Sequence, residues 1–431
     1  MAARIRLPGR AEPLIIPSPG WADRYPPPVS RRVYAAAHVA ALPGGEVIDW
    51  ESTMRFRDHL WAHGFGVAEA MDTAQRGMGL SWGQARELIA RSAGRAVQYR
   101  ANQSRSGKTG GGAGAAGAGA AGADGRLVCG VGTDQLRDGE RHSIARIISA
   151  YEEQMTVVQE AGAGAVLMAS RALAASAKGA RDYLDVYGEL LGQAERPVIL
   201  HWLGEAFDPA LRGYWGSGEL GSAADTVLSL VETADGRVDG VKLSVLDAGF
   251  EVALRRRLPD GVRLYTGDDF NYAELILGDD RGHSDALLGA FAAITGPAAA
   301  ALAALDRGDL DGYSAAIAPT VPLSRLLFEQ PTYHYKVGVA FLAWLNGLQP
   351  HFAMLGGLER QRPIGHLIRV FELAAAARAL VEPELAAERM SWLLAGARAD
   401  AVESPFVTLG SLAKCADTHV RRLTVEDTMD V

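Results

Sequence analysis

Lysine is scarce in this chain. Of its 43 basic residues only five are lysine, namely Lys108, Lys178, Lys242, Lys336 and Lys414; the rest are arginine. Cysteine is scarcer, with Cys129 and Cys415 alone. That excludes a disulfide scaffold and makes the reducing cytoplasm the expected setting. Cys129 lies in the apolar run RLVCGVG and reads as a buried thiol. No uncharged apolar run reaches the ~18 residues of a membrane helix, so no membrane partner is expected. The opening MAARIRLPGRAEPLIIPSPGW is broken by prolines and lacks the apolar stretch of a secretory signal. A net charge of −8 argues against a nucleic-acid surface, which needs clustered basic charge. HExxH, CxxC and a GxGxxG following a strand are all missing, so no cofactor is implied.

What the chain has is size and rhythm. Its 431 residues are 48% hydrophobic and 22% charged, ordinary for a large globular enzyme. Residues 1–32, rich in proline and arginine, read as a segment extended over the surface. From residue 33 short apolar runs alternate with helical patterns. Strands are expected at 32–42, 65–72, 126–131, 163–170, 196–202, 238–244, 261–267 and near 286–288, each followed by a helix. Eight such units predict an α/β fold, a (β/α)8 TIM barrel over 33–305, with a doubly wound sheet as the rival. Residues 306–431 read as a C-terminal helical region, which braces such barrels or joins copies, and a homo-oligomer is expected. SGKTGGGAGAAGAGAAGADG (106–125) is of low complexity and is read as a flexible loop. Its GKT is not a phosphate loop, because Asn102 stands where the first glycine belongs and no strand precedes it.

A barrel gathers its chemistry at the C-terminal ends of its strands. Those ends supply His38, Glu69 and Asp72, then Asp134, His201, Lys242, and Asp268 with Asp269. Lys242 sits in the middle of the apolar run RVDGVKLSVLDAG. A lysine there is either half of a buried ion pair or an amine for imine chemistry. Burial lowers the amine pKa and frees the nucleophile, which arginine cannot match. His201 reads either as a hydrogen-bonded core histidine or as an acid/base neighbour of that lysine. The plain reading of Asp269 is a helix N-cap, expected of at least one of the pair, and Asp268 could bind substrate hydroxyls or orient the lysine. Trp202, Phe207, Tyr214 and Trp215, around the loop after strand five, suit a lid or a sugar platform as well as plain packing. Glu69, His38 and His201 leave open a divalent-metal site.

The stretch VDGVKLS…LPDGVRLYTGDD…LILGDDRGHSDALLGAF resembles the dihydrodipicolinate synthase/N-acetylneuraminate lyase superfamily around its Schiff-base lysine. PVILHW resembles that superfamily's fifth strand, GLSWGQARELIARSA the helix after its second strand, and YKVGVAFLAWLNGLQPHFAMLGGLERQRP its C-terminal region. The likeness is distant and covers roughly residues 33–370. It implies class I aldolase or lyase chemistry, with Lys242 as the imine former and a small keto compound as substrate.

Several departures accompany it. His201 replaces the family's strand-five tyrosine, so the proton relay must differ. Asp72-Thr73-Ala74-Gln75-Arg76 replaces the loop that holds a 2-keto acid carboxylate, with Thr73 alone matching. Asp72 would repel a carboxylate, and Arg76 could replace the lost contacts. Ser170-Arg171 replaces the tyrosines after strand four. The expected substrate is therefore a polyhydroxylated, sugar-derived keto acid or ketose, contacted by Asp72, Thr73, Asp268, Asp269, Trp202, His38 and Arg76. Two rivals remain: a metal-dependent isomerase or lyase on the same barrel, and a non-catalytic sugar-binding barrel.

Overall fold

The computed structural model describes residues 2–72, 75–105 and 126–403. Thr73 and the glycine-alanine segment 106–125 lie outside the described residues, as does the end of the predicted helical region from 404 onward.

Among the described residues ten strands form two sheets. β1 (Ala3–Ile5) and β2 (Leu14–Ile16) pair antiparallel. The other eight close a parallel barrel: β3 (Val33–Ala36), β4 (Gly66–Glu69), β5 (Leu127–Val131), β6 (Gly164–Leu167), β7 (Val198–Leu203), β8 (Val238–Ser244), β9 (Arg263–Thr266) and β10 (Asp285–Leu288). They are neighbours in chain order, and β10 closes on β3. Nearly every strand residue is buried, because a parallel barrel strand faces side chains on one side and helices on the other. That double burial explains why these strands read as short apolar runs without alternation.

Around the barrel run α1 (Trp50–Ala62), α2 (Trp82–Arg105), α3 (Ile144–Glu160), α4 (Arg171–Ser176), α5 (Ala180–Gln193), α6 (Leu220–Thr233), α7 (Ala248–Arg255), α8 (Tyr272–Leu277), α9 (Ala290–Ala293) and α10 (Thr295–Asp306). Local capping fixes several starts. Asp49, Ser143, Ser170 and Asp247 each accept a backbone N–H from the first turn of the helix they precede. The helix expected after the eighth strand is two helices, since Ile294 leaves helical geometry between α9 and α10.

The barrel lumen is filled by Tyr34, Ala36, Ala68, Val128, Val166, Ile199, Tyr265 and Leu287. A second and larger core lies between the strands and the helices. Strand alternation decides the sides. On β7, Ile199 points into the lumen and Trp202 into the outer core, which puts His201 on the lumen side.

The helical region after the barrel comprises α11 (Leu310–Ile317), α12 (Val321–Leu327), α13 (Lys336–Leu345), α14 (Ile364–Ala376) and α15 (Pro383–Glu403). Every residue of α13 is buried, as expected of a helix that is apolar all round. It packs against α9 and α14, and its first residue enters the top of the barrel. The N-terminal segment, largely exposed, is tied down at several points. Ile5, Leu7 and Ile16 are buried in the outer core, Trp21 Nε1 donates to the Arg378 carbonyl at 2.8 Å, and Asp306 accepts the backbone N–H groups of Val29 and Ser30.

Candidate active site

A cavity of about 310 Å³ opens at the C-terminal ends of the strands. Its wall includes Asp72, Ser170, Arg171, His201, Tyr335 and Lys336. Lys242 lies beside it, paired in register with His201 across β7 and β8, and is only 5% exposed. Gly267 makes room for it. A Cβ on Gly267 would stand 2.1 Å from Ser244 Oγ and 3.1 Å from Lys242 Cε.

The electrostatics centre on that lysine. Burial lowers the Lys242 pKa, and the charges of Asp72 and Asp269 only partly restore it. Burial also holds Asp269 well above the usual carboxylate range, although the Ala290 N–H and Lys242 act against it. Both shifts run toward the neutral form of each group. Asp72 behaves oppositely. Burial would raise it, but Lys242, Lys336, His201 and a hydrogen bond from Tyr335 bring it down to about 2. The Tyr335 hydroxyl donates to Asp72 Oδ2 at 2.6 Å, while Oδ1 is buried without a partner. Burial, and then the charge of Lys242, hold His201 well below its ordinary value, with Asp72 a partial offset. Its Nε2 lies 3.4 Å from Ser244 Oγ, and its Nδ1 has no partner.

The loop carrying Asp72 is held firmly. Ala70 and Gln75 adopt positive φ, of 51° and 63°, which non-glycine residues keep only where surroundings enforce it. Arg76 supplies much of the enforcement. It donates to both oxygens of Asp134, to the carbonyls of Ala70 and Gly130, and to Gln154 Oε1 at 2.7 Å. Gln75 Nε2 donates to the Leu355 carbonyl at 2.9 Å, tying the loop to the helical tail.

Of the residues expected at the site, Asp72, His201, Lys242 and Asp269 come together. Others do not. Arg76 reaches the cavity wall, but its donors are spent on the protein, so it fixes the loop and has none in reserve for a carboxylate. Trp202 faces the outer core against Phe250 and Trp215, at ring distances of 5.4 and 6.4 Å. Tyr214 and Trp215 are fully packed as well, and only Phe207 of that aromatic group reaches the cavity. His38 is packed edge-on to Phe56 and bonded through Nε2 to Gln349 Oε1 at 2.7 Å, and burial lowers it to about 4. Asp268 holds the turn after β9, accepting from the backbone N–H groups of Phe270 and Asn271 at 2.9 and 3.0 Å, and Asp269 is the acid that acts on the lysine.

The alternative metal set fails in the same way. Glu69 points out of the barrel, where Arg57 grips both its oxygens at 2.7 Å and Ser92 donates to Oε2 at 2.6 Å. Among the described residues no group of three or more His, Cys, Asp or Glu side chains is placed to hold a metal ion. No helix among them is long and apolar enough to cross a membrane.

Sequence reasoning missed Lys336 and Tyr335. They sit in YKVGVAF, recognised only as tail, and the scarcity of lysine was the available signal.

The fold resembles solved dihydrodipicolinate synthases. That of Aquifex aeolicus aligns with a TM-score of 0.58 at 12% identity, over 82% of this chain and 99% of that one. That of Acinetobacter baumannii, described as chloride inhibited and complexed with pyruvate, gives 0.56 at 16% identity over 81% and 99%. A putative family member from Coccidioides immitis gives 0.53 at 16% over 83% and 98%. At such identities the likeness establishes the TIM-barrel fold alone. No curated protein matches the sequence. The model of the DUF993 family, described as proteins of unknown function, matches residues 14–397, and the chain belongs to that family.

Proposed function

We propose that this protein is a class I aldolase or lyase that forms an imine between Lys242 and the keto group of a small, sugar-derived substrate. One observation carries the reading: Lys242 is a buried amine whose surroundings favour its neutral form, beside a cavity at the catalytic end of the barrel. A neutral amine attacks the carbonyl carbon, and loss of water gives the imine. Once protonated, the imine draws electrons from the neighbouring bond, which can then break or form. Asp72, a carboxylate at neutral pH with one oxygen uncommitted, stabilises the positive charge that develops on the imine nitrogen. Thr73, beside it in sequence, remains a candidate contact.

Borohydride trapping tests this directly. The protein is incubated with 2-keto acids and keto sugars, reduced, and digested for peptide mass measurement. An adduct on the Lys242 peptide is expected. Tight sugar binding with no adduct and no turnover would favour the non-catalytic barrel.

A further inference from the structure

Lys336 is the second lysine that the fold delivers to this cavity, and it comes from outside the barrel. It heads the wholly buried α13, so its backbone is fixed, and it is itself only 3% exposed. Its Nζ meets Met78 Sδ at 3.4 Å, and a thioether is a weak acceptor. Its charged neighbours are Asp72, from the loop after β4, and Arg171, at the start of α4. The Tyr335 ring lies 6.0 Å from the Nζ. Asp72 is the carboxylate that both lysines share, and its Oδ2 is already taken by the Tyr335 hydroxyl. A buried ammonium with so little compensation is costly, and losing a proton relieves that cost. Burial lowers the Lys336 pKa, Asp72 raises it in part, and Arg171 lowers it again, to about 8. An acid–base group works best when its pKa lies near the working pH. Burial and the charge of Lys242 hold His201, the other cavity base, well below its ordinary value.

We propose that Lys336 is the acid–base residue of this cavity, taking and returning the proton on the carbon next to the Lys242 imine. The proposal rests on the imine reading above. In the step itself, the neutral Lys336 amine accepts the proton from that carbon and becomes an ammonium. The C–H electron pair becomes the carbon–carbon double bond of the enamine. The pair of the former C=N bond returns to the nitrogen of Lys242. The reverse step delivers the proton to the same carbon. Tyr335 and Asp72 act as positioning residues, holding the charge balance between the two amines.

The experiment measures two things on wild type, Lys336→Met and Lys336→Arg in D₂O with pyruvate, hydroxypyruvate or dihydroxyacetone. Proton NMR follows loss of the protons next to the carbonyl, and borohydride trapping with peptide mass reads the imine. Wild type is expected to exchange and to trap at Lys242, with exchange rising with pH and levelling near pH 8. Both variants should still trap at Lys242 and lose exchange by ~100-fold or more. The arginine variant keeps the charge and cannot give up its proton, so exchange restored in Lys336→Arg would overturn the proposal. So would wild-type exchange in Lys336→Met, an adduct carried by Lys336, or loss of trapping in both variants. Wild type that trapped at Lys242 while the variants exchanged normally would overturn this role alone. Wild type that neither trapped nor exchanged would overturn the imine reading, and this role with it.

Discussion

At the N-terminal end of the barrel, Asp239 accepts from Arg32 at 2.9 Å, from Arg263 at 3.1 Å and from the Tyr265 hydroxyl at 2.5 Å. Asp285 takes the Arg32 backbone N–H at 2.7 Å and pairs with Arg263. Charge there is met by charge. At the C-terminal end, two buried lysines share the carboxylate of Asp72, one of whose oxygens has no partner. Both ends are polar and both belong to one rigid sheet. Their difference shows how a barrel separates tasks. Paired charges close and fix the base, and unpaired amines at the top keep a reactive state within reach. The Arg57–Glu69 pair, both side chains fully buried, belongs with the base in this sense, although it lies near the top.

Substitutions should break this contrast in opposite ways. The largest effect is expected from Lys242→Met. Imine trapping should fall by at least ~10³-fold, as when a covalent nucleophile is removed. The melting temperature should hold or rise, because an unpaired buried amine is lost. Glu69→Gln should do the reverse. Leaving Arg57 buried without its partner costs ~3–5 kcal/mol, read by denaturant melts, while trapping per folded molecule stays unchanged. Gly267→Ala lies between the two. Its Cβ would press on Ser244 and Lys242, so a loss of ~1–3 kcal/mol should accompany slower trapping.

A pH series sharpens the contrast further. The folded pKa of Lys336, about 8, lies below the ordinary 10.5. Between those values the unfolded chain binds more protons than the folded one, so this residue makes stability rise with pH across that window. The penalty of burying its charge is fully present below pH 8. The stability advantage of Lys336→Met over wild type should therefore shrink as pH climbs from 8 to 10.5, as measured by urea melts. The smallest effect is expected from Asp268→Asn, which weakens the turn after β9 by ~0.5–1.5 kcal/mol and leaves trapping intact.

Much of the fold was legible because a parallel barrel imposes double burial, which writes itself into sequence as short apolar runs spaced by helices. Strand 238–244 matches the structure residue for residue, and Lys242 stood out within it as a lone amine among apolar neighbours. Side-chain direction was harder to read. Trp202 and His201 are adjacent in sequence and face opposite sides of the sheet, and only the register of the closed barrel decides which is which. Asp268 and Asp269 depart from their expected roles for a related reason: the turn after β9 commits Asp268 to its own backbone N–H groups, and neither residue caps α8. Lys336 and Tyr335 were invisible because α13 reaches the cavity through tertiary packing, 94 residues after Lys242, and no local pattern records that. Arg76 appeared free in sequence because Asp134 and Gln154, which occupy it, come from other parts of the barrel.

The scarcity of lysine makes the central claim open to direct measurement. With five lysines, the side-chain nitrogens of a lysine-labelled sample can be followed one by one by NMR, and Lys242 is assigned by its disappearance in Lys242→Met. The account predicts that Lys242 titrates below the ordinary lysine value of 10.5. A Lys242 signal that stays an ammonium up to pH 10.5 would contradict it.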